Sequence, residues 1–195
     1  SDLYLPAGLW KDDIIYYKEV EGTVHYGIPQ GYFGYSDTHA LAGSFSVWSP
    51  VLLLPWSIWG LLFGWNYMSP IWCNIAMMML GMGFFAFLAK PDKKQVFWLS
   101  MFYALFIRLT RYALSAHVES TAYFMVMLLM AFVFYLRRED AKQKPALAAM
   151  IVTAMILTWM RPYYIIFLAV PGYYLVKKSR KNGWLIAALT LVTMG

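Results

Sequence analysis

Charged residues are scarce in this 195-residue chain: Asp, Glu, Lys and Arg together make up only 13% of it. Apolar residues fill 61% instead, in runs too long for the core of a soluble domain. Cysteine is nearly absent, since Cys73 stands alone inside an apolar run, and this excludes an intrachain disulfide and a cysteine metal cluster. His25, His39 and His117 show no metal-ligand spacing and read as hydrogen-bonded loop residues. No Walker loop, GxGxxG, GxSxG or HExxH pattern occurs, which removes the usual nucleotide, hydrolase and zinc-protease chemistries. The net charge of +6 does not point to nucleic acid either. Eleven of the sixteen Lys and Arg residues fall in three short connections, residues 90–94, 137–144 and 177–181, where membrane topology already accounts for them.

What the chain does have is the pattern of an all-α polytopic membrane protein. Residues 69–89, 96–114, 120–136, 146–159 and 163–176 read as successive spans, with a further run starting at Trp184. Helices are expected because a bilayer cannot satisfy exposed backbone groups, and no segment alternates with the period of two that a barrel needs. The three basic connections fall at alternate ends of these spans. Under the positive-inside rule they are cytoplasmic, and the isolated ionisable residues Arg108, Arg111, Glu119 and Arg161 collect on the opposite side.

Residues 1–45 carry six of the ten acids and read as wet and irregular, with one helix over about 12–24 before Gly27, Pro29 and Gly31. Residues 51–63 are apolar but interrupted by Pro55 and bounded by Gly64, short of the roughly 20 residues a span needs. They read as an interfacial or re-entrant helix, with Trp48, Trp56, Trp59 and Trp65 at headgroup depth. If this segment does not cross, residues 1–65 form an extracytoplasmic loop and residues 66–195 a helix bundle. The chain reads as an excerpt that lacks an upstream first span and downstream helices.

Several residues are candidates for chemistry. Glu119 opens an otherwise apolar span, where a charge costs a few kcal/mol unless partnered or hydrated; it also suits the first turn of a helix, where the dipole favours an acid. Arg108, Arg111 and Ser115 have the i, i+3, i+7 spacing of one helix face, which suggests either a phosphate cradle or snorkelling and a structural pair with Glu119. Arg161 precedes Pro162 in a very short outer loop, where a further cation has no topological use. Asp12 and Asp13 are either helix-start acids or a general base or metal ligand facing the membrane surface.

The order of these features resembles the GT-C glycosyltransferases, multispanning enzymes that use polyprenyl-phosphate-linked sugars, including the protein O-mannosyltransferases and lipid A aminoarabinose transferases. Asp12, Asp13 and Tyr16 fit the acid-acid-x-x-aromatic motif that opens their first outer loop. Ser49-Pro50 and Leu62-Phe63-Gly64 resemble the stretch around their second juxtamembrane helix, although Ser49 stands where His or Lys is frequent, and Ile71 near the place of an Arg. Glu119 resembles their second outer acid, and Arg161-Pro162 occupies the place of a basic pair.

The resemblance implies a GT-C-like bundle in the plasma membrane that transfers a sugar from a polyprenyl-phosphate donor to an acceptor lipid, glycan or protein on the extracytoplasmic side. It assigns catalysis to Asp12, Asp13 and Glu119 and phosphate binding to Arg108, Arg111 and Arg161. Tyr16 and Tyr112 are expected on the substrate side. Members differ in metal use; a divalent cation, where one is used, would fall to Asp12, Asp13 and Glu119. The alternative is a transporter or lipid flippase with an outer-facing charged site, which would show broken helices and charges spread along a path.

Overall fold

The computed structural model describes residues 11–31, 41–43, 49–115 and 117–178; the side chains of residues 11–13, 30, 31, 41, 42, 108–110 and 178 fall outside the description. The described chain is helical apart from a two-residue antiparallel pairing of β1 (Gln30–Gly31) with β2 (Leu41–Ala42). It divides into two compact units. One holds the described residues up to Leu80 together with Pro91–Tyr123, and the other holds Gly81–Lys90 together with those from Phe124 onward. The described part of the expected 1–65 loop belongs to the first unit.

Helix α1 (Lys11–Tyr26) forms where the spacing predicts one. It buries Tyr16, Tyr17 and Val20, positions i, i+1 and i+4 on one face, and ends at Gly27, whose φ of 72° lies in the left-handed region open to glycine. Helix α2 (Pro50–Phe63) is delimited by its sequence at both ends. The Ser49 hydroxyl accepts the Val51 N–H at 3.2 Å, Pro50 opens the first turn with no N–H to satisfy, and Gly64 closes the helix at φ 83°. Its fourteen residues rise only about 21 Å at 1.5 Å each, short of the roughly 30 Å of hydrocarbon in a bilayer.

α2 buries Leu52, Leu53, Trp56 and Gly60 and leaves Leu54, Ile58, Leu61, Leu62 and Phe63 exposed. Its buried stripe packs on α1 so closely that a Cβ at Gly60 would stand 2.6 Å from Val24 Cγ2. Around this contact Trp65 donates its indole N–H to the Tyr17 carbonyl at 3.2 Å, and Tyr17 stacks between Trp65 and Tyr67. Burial, followed by the charge of Glu21, raises the Tyr17 phenol above its ordinary pKa of 10.0.

Among the described residues two helices are long and apolar enough to cross a membrane, α3 (Ser69–Ala89) and α7 (Gln143–Met160). α6 (Glu119–Tyr135), also apolar, is one residue shorter than α7. Two expected spans differ from their sequence reading. The segment 96–114 is not one helix: α4 (Lys93–Leu105) stops at Phe106, which leaves helical geometry with φ −84° and ψ 74°, and α5 (Ile107–Ala113) follows. Residues 163–176 form a 3₁₀ helix (Pro162–Leu168) followed by α8 (Ala169–Lys178) rather than a single α-helical span. The run from Trp184 lies outside the described residues.

The start of α4 is a capping box, in which Asp92 accepts the Gln95 N–H at 2.8 Å and Gln95 accepts the Asp92 N–H at 3.0 Å. In the second unit, α7 packs on the 3₁₀ helix and α8. There Gly81 of α3 meets Phe124 and Met127 of α6, and Phe85 meets Phe134 edge-on. The basic connection after α6 is held internally. Arg138 forks onto the Asp140 carboxylate, donates through Nη1 to the Leu88 carbonyl at 2.9 Å, and lies over the Tyr135 ring.

Candidate functional site

Among the described residues of the first unit, a polar cluster centres on Asn74, one turn into α3 and fully buried in an otherwise apolar helix. Its carboxamide oxygen accepts the Trp56 indole N–H at 2.9 Å. Its nitrogen donates to the carbonyls of Ser115 at 2.8 Å and His117 at 2.9 Å, and approaches that of Tyr112 at 3.4 Å. The Tyr112 carbonyl also accepts the Ser120 hydroxyl at 3.1 Å and the Ser115 hydroxyl at 3.3 Å. One amide therefore ties α2 and α3 to the connection between α5 and α6. A buried polar group is stable only when satisfied, and this one has a partner for both its oxygen and its nitrogen.

That connection carries Glu119, the first residue of α6, where the N-terminal dipole favours a carboxylate. Glu119 Oε2 lies 3.8 Å from His117 Nδ1, with the two side chains 28% and 18% exposed. The Tyr112 ring stands edge-on to His117 at 4.6 Å and parallel to Tyr123 at 6.2 Å. Of the sequence-predicted residues, the structure thus brings Tyr112 and Glu119 together, and it adds His117 to them. An imidazole beside a carboxylate is an arrangement suited to passing a proton.

The remaining candidates are placed as follows. Arg111 is exposed in the last turn of α5, and Arg108 lies on the same helix with its side chain outside the description. Ser115 does not continue their helical face, because α5 ends at Ala113 and the Ser115 hydroxyl turns back to the Tyr112 carbonyl. Asp12 and Asp13 occupy the first turn of α1 as expected, with their side chains outside the described set. Tyr16, only 8% exposed, belongs to the core of α1. Arg161 joins α7 to the 3₁₀ helix, half-buried, in the second unit.

Among the described residues no three His, Cys, Asp or Glu side chains gather as a metal site; Asp12 and Asp13 stand outside that comparison. Sequence reasoning missed two further residues. Glu19, one turn beyond Tyr16, is 1% exposed, although its sequence position gave no sign of burial. Asn74 did carry a signal, as a polar side chain within a span-length apolar run.

Comparison with family models, curated proteins and solved structures finds no match to this chain.

Proposed function

We propose that the protein is a multi-pass plasma-membrane glycosyltransferase with a GT-C-like helix bundle, moving a sugar from a polyprenyl-phosphate donor to an acceptor hydroxyl at the extracytoplasmic face. The observation that supports this most is the length of α2. A helix of this length, capped at Ser49 and closed at Gly64, with one face against α1 and the other apolar and exposed, suits a surface helix better than a span. With α2 on the surface, α1 would lie on the same side of the bilayer as the α5–α6 connection, which the alternation of basic connections puts outside.

In this reading the acceptor O–H breaks as its oxygen attacks the anomeric carbon, the bond from that carbon to the phosphate oxygen breaks, and the lipid phosphate departs. Asp12 takes the proton, and Asp13 or Glu119 orients it. Arg108 and Arg111 carry the negative charge that grows on the phosphate, a contribution of about 100-fold or more in rate per contact.

The test uses the full-length protein reconstituted with donor and acceptor. Asp12→Asn is expected to lower transfer by about 100-fold or more, and an unchanged rate would remove Asp12 as the base. Independently, Asp13→Cys in a Cys73→Ser background should react with an impermeant thiol reagent in intact cells. Protection from it until the membrane is breached would place α1 inside and end the proposal.

A transporter or flippase is the second reading, and it draws on the interruption of the 96–114 segment at Phe106. Lipid movement across vesicles without consumption of donor would favour it.

A further inference from the structure

We propose that Asn74 is the positioning residue for the Glu119–His117 pair, and that through Trp56 it couples the pair to the surface helix α2. This deepens the transferase reading and rests on it for its catalytic consequence, but its structural content stands separately.

The chemistry of the site calls for an amide. Trp56 Nε1 is a donor only and needs an acceptor, whereas the carbonyls of Ser115 and His117 need donors. A carboxamide supplies both from one planar group, and its two N–H bonds are matched by the two short contacts, 2.8 and 2.9 Å. The Tyr112 carbonyl, at 3.4 Å from the same nitrogen, has the Ser120 hydroxyl instead. Aspartate would keep the bond from Trp56 but turn an oxygen toward two carbonyl oxygens. Leucine would fill the space and leave the indole and both carbonyls without this partner.

The anchored carbonyls lie immediately before the acid. His117 has its backbone held at 2.9 Å from Asn74 while its ring faces Glu119 and the Tyr112 edge. Val118, the residue between His117 and Glu119, is fully buried, and its carbonyl accepts the Thr121 N–H at 3.0 Å. The pair therefore projects from a backbone fixed on both sides. A misplacement of about 1 Å in such a pair can lower a rate by about 100-fold while leaving substrate affinity intact.

The experiment compares the full-length parent, Asn74→Leu and Trp56→Phe by hydrogen exchange and by transfer kinetics. In Asn74→Leu the amides of residues 112–121 should exchange about tenfold faster or more, while those of α7 stay at parent rates. Its kcat should fall about 100-fold with KM within a few-fold of the parent. Trp56→Phe keeps both amide donors and should show the same changes at smaller size, which guards against a leucine variant that does not fold. Unchanged exchange at 112–121 in Asn74→Leu refutes the anchoring role, unchanged exchange in Trp56→Phe refutes the coupling to α2, and faster exchange with parental kcat refutes the positioning role. A parent that folds but transfers no sugar refutes the transferase reading alone, and the exchange data still decide the anchoring of the pair.

Discussion

Gly60→Ala should destabilise the α1–α2 contact even though alanine is the better helix former. The gain is small, about 0.5–1 kcal/mol for replacing glycine inside a helix. Against it, the new Cβ would stand 2.6 Å from Val24 Cγ2 and 3.2 Å from Trp65 Cε3, where carbon atoms prefer about 3.5–4.0 Å. Valine is β-branched and stiff at χ1, so its methyl cannot swing away as the end of a long chain would. Overpacking of this kind costs about 1–3 kcal/mol, which leaves a net loss centred on about 1 kcal/mol and of at most about 2.5 kcal/mol.

Thermal unfolding of the purified protein in detergent, read by tryptophan fluorescence, should shift by roughly 2–4 °C per kcal/mol for a chain of this size. Trp65 reports locally, since its indole bonds the Tyr17 carbonyl beside the contact. The decisive measurement is the cycle with Val24→Ala. That change alone should cost about 1 kcal/mol for a half-buried valine, and in its background Gly60→Ala should become neutral or stabilising. The coupling expected between the two sites is about 1–3 kcal/mol. A Gly60→Ala variant that melts higher in both backgrounds would refute the close packing of α2 on α1.

Ser49→Ala removes the hydroxyl that accepts the Val51 N–H and should cost about 0.5–2 kcal/mol in the same melt; no change would mean that water caps α2 equally well. In the second unit, hydrogen bonding to Arg138 holds the Asp140 carboxyl below its ordinary 3.8. A depressed folded pKa means that the stabilisation is complete above the unfolded value and is lost as pH falls through the folded one. The difference in stability between parent and Asp140→Asn should therefore be constant from neutral pH down to about 5 and shrink below the ordinary value. A difference that instead changes between pH 6 and 8 would point to another group.

Much of the first unit follows from signals in the sequence. The helix start near Asp12 and its end at Gly27, and the Ser49-Pro50 and Gly64 limits of α2, are set by capping and by backbone preferences acting within a few residues. The buried Tyr16, Tyr17 and Val20 follow from helical spacing. The break at Phe106 has no such sign, because neither proline nor glycine stands between Phe102 and Ile107 and every residue there tolerates a helix. The 3₁₀ helix after Arg161 is partly foreshadowed by Pro162, but its length is not.

The site was legible in its acid and not in its support. Glu119 stood out as a charge at the edge of an apolar run, whereas His117, whose ring lies beside it, read as an ordinary loop histidine. The His117 carbonyl is indeed hydrogen-bonded, yet its ring faces the carboxylate. Asn74 lies more than 40 residues before the loop it holds, and only tertiary structure reveals such a partnership.

Arg138 has two careers separated in time. In the proposed multi-pass reading, on the nascent chain it is one cation among Arg137, Lys142 and Lys144, and its charge counts toward which way the flanking helices would be threaded. Once the corner closes, its guanidinium is occupied by Asp140 and by the last turn of α3 at Leu88. Orientation and final stability thus draw on the same residue at different moments. Replacing Arg138 by glutamine would separate them: Arg137, Lys142 and Lys144 would keep the charge the proposed topology needs, while the carboxylate of Asp140 and the end of α3 lose their common cation.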